Sequence, residues 1–245
     1  MATTGKRLLN RLYAQTVARA PLTSADLAAL GVSADLAVHY VRAGWLKRLA
    51  RGVFVRTGEE PELHPSLRLL ERMIPGFHVG GKTSLNWYGV RHYVAQQELL
   101  HLYGSVAVKL PEWFTERFPA EYHRKRLFSE PPERPLHITP LEGRDSGPQV
   151  STPERAMLEL LSEIGVRQPL QEAKEILESA YSLRADVLRE LLKRCTSVKT
   201  VRLCLQLGRE SSLPWAQKLN PTELPTGSAR PWVARSADGL LVLKP

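Results

Sequence analysis

Cysteine is nearly missing from this chain: Cys195 and Cys204 are the only two in 245 residues. Two thiols so placed build neither a disulfide framework nor a cysteine-based zinc site. They read as reduced, buried side chains of a cytosolic protein. No run reaches the ~18 apolar residues that a membrane span needs. Met1-Ala-Thr-Thr-Gly is followed by no apolar segment, so it is not read as a signal peptide. The expected location is the cytoplasm, with no membrane partner. A repeat of fixed period and low-complexity tracts are also missing. The histidines (His39, His64, His78, His92, His101, His123 and His137) make no helical i,i+4 pair and have no cysteine at metal-binding spacing. Each reads as a surface or locally hydrogen-bonded residue. Carboxylates are plentiful, but none are paired in a way that marks acid–base work. No catalytic residue, metal or cofactor is assigned, and the chain reads as a non-enzyme. Trp87, Tyr88, Trp113 and Trp215 read as core.

Acidic residues are in deficit. There are 34 Lys and Arg against 25 Asp and Glu, a formal charge of +9, which suits a polyanionic partner such as nucleic acid. The excess is concentrated at the N-terminal end. Residues 1–60 carry nine Lys or Arg (Lys6, Arg7, Arg11, Arg19, Arg42, Lys47, Arg48, Arg51, Arg56) against four acids, Asp26, Asp35, Glu59 and Glu60.

The same segment has a legible plan. Residues 5–18 predict an amphipathic helix, with Leu8, Leu9, Leu12 and Val17 near one face and Lys6, Arg7 and Arg11 near the other. Pro21 breaks it. A second helix starts at Thr23 or Ser24, has Asp26 in its first turn, and ends at Gly31. Ser33 caps a third, from Ala34 to about Ala43, which Gly44 stops. Two short strands, 45–49 and 53–55, flank the basic turn Ala50-Arg51-Gly52. This is the order of a winged helix-turn-helix, with the third helix placed to enter a major groove.

At about 100° per residue, Asp35, Val38, His39 and Arg42 share one face of that helix, while Ala37, Tyr40 and Val41 turn inward. Together with Ser33 they are the candidate DNA-reading residues. Asp35 could accept from a cytosine amine, Val38 touch a thymine methyl, and Arg42 reach a guanine or a phosphate. Lys47, Arg48 and Arg51 of the hairpin suit phosphate contacts.

After a linker at 57–61, the pattern is mixed to about residue 148. It predicts helices at 64–74 and 82–88, β-like sequence over 98–110 with a turn at Gly104-Ser105, and strands at 122–128 and 136–141. A polar loop over 142–148 follows. Ser151-Thr152-Pro153-Glu154 is a helix start, with Ser or Thr as cap and Glu154 set for a capping box. Helices are expected at about 152–164, 170–181, 184–194 and 197–209, and a strand at the end from Gly239. The fold class is α+β: a winged helix-turn-helix at 1–58, then a larger domain at 62–245, mixed over 62–148 and mainly helical over 149–245.

Two further patterns bear on ligands and partners. Gly76-Phe-His-Val-Gly-Gly81-Lys82-Thr83 formally fits a phosphate-binding loop. Pro75 and a preceding helical stretch leave no buried strand to lead into it, and no later apolar strand ends in an acid that would hold Mg2+. A structural turn is the better reading. Lys193, Arg194, Lys199, Arg202 and Arg209 form a basic stripe, read either as a solvated helix face or as a docking surface for an acidic partner.

The whole chain resembles the AbiEi-type antitoxins of type IV toxin–antitoxin systems. The resemblance is carried by Ala43-Gly-Trp-Leu-Lys-Arg-Leu-Ala-Arg-Gly-Val-Phe54, by Val79-Gly-Gly-Lys-Thr-Ser-Leu85 with Gly89, and by Leu110-Pro-Glu-Trp-Phe114. Its strongest piece is Ser151-Thr-Pro-Glu-Arg-Ala-Met-Leu-Glu-Leu-Leu161; Cys195 to Lys199, Arg202-Leu203 and Pro214-Trp215 also fit. The resemblance implies an N-terminal domain that represses its own operon by binding inverted repeats in the promoter. It implies a C-terminal part that neutralises a cognate nucleotidyltransferase toxin, with the basic stripe as the expected partner surface. The alternative is a winged-helix transcription regulator whose C-terminal domain senses a ligand or mediates oligomerisation. A nuclease with a DNA-binding arm would need a carboxylate–lysine metal site, which the sequence does not offer.

Overall fold

The computed structural model describes residues 2–90, 99–131, 135–141, 147–236 and 239–243. His92 and most of the polar loop expected at 142–148 lie outside the described residues. The chain forms two compact units. The first holds Met1–Met73 and Lys109–Phe118, the second Ile74–Val108 and Pro119–Pro245. The first unit therefore runs past the border expected at residue 58.

The first unit opens with helix α1 (Ala2–Gln15). Leu12 is fully buried in a core with Leu22, Leu27, Val32, Ala37, Tyr40, Leu46 and Phe54. The helix stops before Val17, which is 69 % exposed rather than on the apolar face. What closes it is Arg56, one of the nine cations of residues 1–60. Its buried guanidinium donates to the Tyr13 carbonyl at 2.9 Å and to the Thr16 carbonyl, and lies over the Tyr13 ring. A cation thus takes up carbonyls that the last helical turn leaves without partners.

Strand β1 (Leu22–Thr23) leads into α2 (Ser24–Ala29). The Thr23 hydroxyl accepts from the Asp26 N–H, and the Asp26 carboxylate accepts from the Thr23 N–H, a reciprocal cap. Asp26 also takes both ends of the Arg72 guanidinium, at 2.7 and 2.9 Å. Ser33 caps α3 (Ala34–Arg42) by accepting from the Leu36 N–H. Strands β2 (Leu46–Ala50) and β3 (Val53–Arg56) pair antiparallel with an irregularity between Arg48 and Ala50, giving the sheet order β1-β3-β2. Gly52 turns the hairpin at φ +76°, a conformation that a side chain would strain. Helix α4 (Leu63–Met73) carries Arg72.

The second unit is built on a five-stranded sheet. Strand β4 (His78–Val79) is followed by α5 (Gly81–Trp87), β5 (Leu100–Gly104), the short α6 (Glu112–Thr115, in the first unit) and β6 (Ala120–Arg124). Then come β7 (Ile138–Pro140) and β8 (Gln149–Ser151). The order is β6-β5-β4-β8-β7, with β5–β6 and β4–β8 parallel. The β-like sequence beyond Gly104 is not strand: β5 ends there, and 109–118 belong to the first unit.

Helix α7 (Pro153–Ser162) is buried at every position from Glu154 to Ser162. Around it lie α8 (Leu170–Glu178), α9 (Ala185–Lys193), α10 (Val198–Glu210) and α11 (Pro214–Gln217). They share a core that includes Met157, Leu161, Leu177, Leu188, Leu203 and Trp215. The Trp215 indole N–H donates to the Ala180 carbonyl at 2.8 Å, as a buried indole requires. Cys195 and Cys204 are both buried in this core. Burial raises the Cys195 thiol to about 11 and drives Cys204 higher still, so both stay protonated. The chain ends in an antiparallel hairpin, β9 (Trp232–Ser236) and β10 (Gly239–Leu243).

Arg202 secures that end. It is 2 % exposed and donates to the carbonyls of Thr226 (2.6 Å), Arg230 (2.8 Å) and Leu243 (3.3 Å), and to that of Ser228. One guanidinium thus takes up backbone oxygens from four points of the tail. Arg202→Met keeps the apolar bulk but orphans them, and charged hydrogen bonds are worth about 1.5–3 kcal/mol each. The expected loss is at least about 3 kcal/mol in urea-induced unfolding; an unchanged midpoint would rule out this anchoring.

Candidate functional site

Two polar constellations stand out, one in each unit. In the first, α3 buries Ala37 and Tyr40 and half-buries Val41. Ser33, Asp35, His39 and Arg42 are exposed on its other side, with Val38 half-buried. Lys47, Arg48 and Arg51 are exposed on the hairpin. Two of these cations have local partners. Lys47 pairs with Glu60 at 2.9 Å, both about half exposed, and the Arg48 guanidinium stands over Phe54 at 5.6 Å. An exposed pair of the Lys47–Glu60 kind is worth about 0–1 kcal/mol, so a phosphate could replace it at little expense. Ser33 has a structural duty as well, since its oxygen is the cap of α3.

In the second unit a carboxylate sits at the centre. Glu159 of α7 is fully buried. Its Oε1 faces His78 Nε2 at 2.9 Å and accepts from Arg155 Nε at 2.9 Å. Its Oε2 accepts from the Ser151 hydroxyl at 2.8 Å and from the Gly81 N–H at 3.1 Å. Arg155 continues to Glu130 at 2.9 Å and to the Leu136 carbonyl. Burial alone would raise the Glu159 carboxyl, but His78 and Arg155 outweigh it and hold the group at about 2, below its ordinary 4.5. Glycine is required beside it. A Cβ at Gly80 would stand 2.3 Å from Glu159 Oε2 and 2.7 Å from the Tyr103 ring, and Gly81 adopts φ +50°. The loop that formally fits a phosphate cradle is therefore occupied by an anion of the chain itself.

The model for transcriptional regulators of the AbiEi antitoxin, type IV toxin–antitoxin system, matches residues 97–244. The model for the AbiEi antitoxin N-terminal domain matches residues 5–96. The chain belongs to the AbiEi family. That membership places it among antitoxins that regulate transcription, with a toxin partner and regulatory DNA implied. The fold is similar to the crystal structure of the RV2827C protein from Mycobacterium tuberculosis, at 16 % identity and a TM-score of 0.60, over 95 % of this chain and 89 % of that one. No curated protein sequence matches the chain.

The segment that carries the AbiEi resemblance most strongly, Ser151 to Leu161, holds Ser151, Arg155 and Glu159 of the buried cluster. Of the two cap residues expected at its start, Thr152 is the one, but its side chain makes no capping bond. Glu154, expected to close a capping box, instead accepts from the N–H, Nε and Nη2 of Arg184 at 2.9–3.0 Å.

The basic stripe is not a single surface. Arg202 is consumed by the tail. Lys199 donates to the carbonyls of Ser162 (3.1 Å) and Ile164 (2.9 Å), closing the end of α7. Lys193, Arg194 and Arg209 remain exposed; Lys193 lies 3.6 Å from Glu223, and Arg209 reaches the Leu219 carbonyl. The periodicity of the charges was visible in the sequence, but not which faces the tail would cover. His78, His101 and His123 depart from the expectation of surface or locally bonded histidines, whereas His39 is exposed. His78 is a buried partner of Glu159, His137 meets Glu190 at 2.9 Å, and His101 lies against His123 across two strands. Among the described residues no helix is long and apolar enough to cross a membrane.

Glu159 ties stability to pH. Because its folded pKa lies below the unfolded value, its contribution is fully present above about pH 4.5 and is lost as pH falls through about 2. Glu159→Gln leaves Arg155 and His78 without their shared anion. It should reduce stability by about 3–5 kcal/mol at neutral pH and flatten the acid limb of the stability profile. Denaturant titrations at stepped pH would measure both, and a wild-type slope in the variant would contradict this account.

Proposed function

We propose that residues 1–58 act as a winged helix-turn-helix that represses the chain's own operon by binding inverted repeats in its promoter. Residues 62–245 neutralise a nucleotidyltransferase toxin, and the chain works in the cytoplasm by binding rather than catalysis. The observation that carries the DNA reading is the two-sided character of α3. One side is locked into the core through Ala37 and Tyr40, and the other offers Asp35, His39 and Arg42 to solvent. A hairpin bearing three exposed cations follows directly. A helix held this way can present side chains to base edges in a major groove, while the hairpin lies along the backbone.

Arg42 and Asp35 are assigned to base reading, with Val38 and His39 beside them and Ser33 at the helix start. Asp35 repels phosphate, so it penalises sites where it does not find a donor such as a cytosine amine. Lys47, Arg48 and Arg51 are assigned to phosphates. Replacing these three by alanine should weaken binding to all sequences. It should also lower the slope of log affinity against log salt by roughly one unit per lost contact. Asp35→Ala or Arg42→Ala should remove about 1–3 kcal/mol on the promoter site and much less on random DNA. A salt titration by fluorescence anisotropy reads both effects, and an unchanged slope in the triple variant would refute the phosphate assignment.

For the toxin, the exposed members of the stripe are the ones assigned: Lys193, Arg194 and Arg209. A nucleotidyltransferase carries carboxylates for its metal ions, and opposite charge across an interface raises the association rate and rejects wrong partners. Lys193→Glu with Arg194→Glu in the full chain should slow complex formation and reduce survival when toxin is co-expressed, with an unchanged thermal melt. Full protection by a normally melting double variant would remove these residues from the interface.

A further inference from the structure

On the sheet of the second unit, β5 and β6 run parallel with His101 opposite Glu121 and Tyr103 opposite His123. Alternation along each strand puts all four side chains on one face. His101 Nδ1 lies 3.1 Å from His123 Nε2, and the rings are stacked at 5.3 Å. Tyr103 stacks on the other ring at 4.7 Å. One ligand atom each from His101, Glu121 and His123 lies within 4.8 Å of the others. A cavity of about 10 Å3 opens beside His101, His123, Glu163 and Arg167, room for one water-sized occupant.

We propose that His101, His123 and Glu121 form a binding site for one divalent transition-metal ion of the zinc class. Zinc–nitrogen bonds of about 2.0–2.1 Å set the edge of a coordination tetrahedron near 3.3 Å. The two imidazole nitrogens need to part by only a few tenths of an ångström to span it. Two imidazoles, one carboxylate and a free fourth position match zinc; Ca2+ and Mg2+ prefer all-oxygen sets.

Without metal, Arg167 bridges the ligands. Its Nε lies 3.0 Å from Glu121 and its Nη1 3.2 Å from His123 Nδ1. A guanidinium can only donate, so His123 Nδ1 accepts, and its Nε2 carries the proton given to His101. Metal binding requires Arg167, which is 49 % exposed, to swing out. The His123 proton moves from Nε2 to Nδ1, with none released. There it faces Glu163 Oε2, 3.7 Å away, the carboxylate–histidine–metal order found behind zinc ligands. The ion and Arg167 therefore compete for the Glu121 carboxylate and require opposite tautomers of His123, and the ion would join strand β6 to β5.

The test titrates the full chain with Zn2+ against a chromophoric chelator, repeats it with Co2+ to read the visible bands, and follows the thermal melt. One equivalent should bind, with tetrahedral-type Co2+ absorption and a melting temperature that rises with free Zn2+. Glu121→Gln should weaken binding about 10–100-fold, taking the loss seen when a metal site is impaired as a guide, and His101→Gln should abolish it. Arg167→Gln should tighten binding. Melts of the metal-free variants confirm that each is folded; if His101→Gln is not, the variants of half-buried Glu121 and exposed Arg167 decide. No saturable binding in the wild type, or equal affinity in wild type and Glu121→Gln, would overturn the site. Unchanged affinity in Arg167→Gln would overturn the competition.

Discussion

The second unit depends on keeping one carboxylate ionised where there is no water. Glu159 lies on a helix whose residues from 154 to 162 are all buried, and a charge removed from water is tolerated only when paired and hydrogen-bonded. Its surroundings are the consequence. Ser151 ends strand β8, Arg155 stands one turn before Glu159, His78 comes from β4, and Gly81 opens α5. Strands and helices distant in sequence are thus drawn to one point by polar needs, with the apolar core closing around them. It also accounts for the glycine pair at the start of α5, since a side chain at Gly80 would collide with the carboxylate.

That arrangement answers the question of the phosphate-loop pattern at 76–83. The pattern records a close approach of backbone to an anion, and this is what the glycines permit. The anion is internal. The Gly81 N–H that would face a phosphate is bonded to Glu159, and the histidine within the pattern is its neighbour. A sequence pattern can therefore be right about local backbone and still mislead about the ligand.

Much of the first unit was legible because its signals are local. Thr23 with Asp26, Ser33, Gly44 and Gly52 mark element ends by chemistry confined to a few residues, and the structure follows them closely. Strands β1 and β4 were not legible. Each is two residues long, and only pairing with partners far along the chain makes them strands. The end of α1 was misplaced for the same reason: it is set by Arg56, some 40 positions later. His101 and His123 offer no spacing signal, because parallel register rather than helical period brings them together.

The same contrast governs the charges, and it bears on where partners can be sought. Composition counts 34 cationic side chains, but cations in the fold divide into two kinds. Arg56, Arg155, Lys199 and Arg202 are at least half withdrawn from solvent and serve carbonyls and carboxylates of the chain itself. Arg42, Lys47, Arg48 and Arg51 remain on the surface within ten residues of one another. A helix period cannot separate the kinds, because a buried arginine satisfying backbone carbonyls repeats along a helix just as a solvated one does. Contiguity does better. Cations on a tight turn and an adjoining helix end have no depth of core behind them to enter, whereas α10 is covered by the tail on the very side that bears Arg202. The N-terminal basic cluster is therefore a firmer guide to a polyanion than the helical stripe was to a toxin.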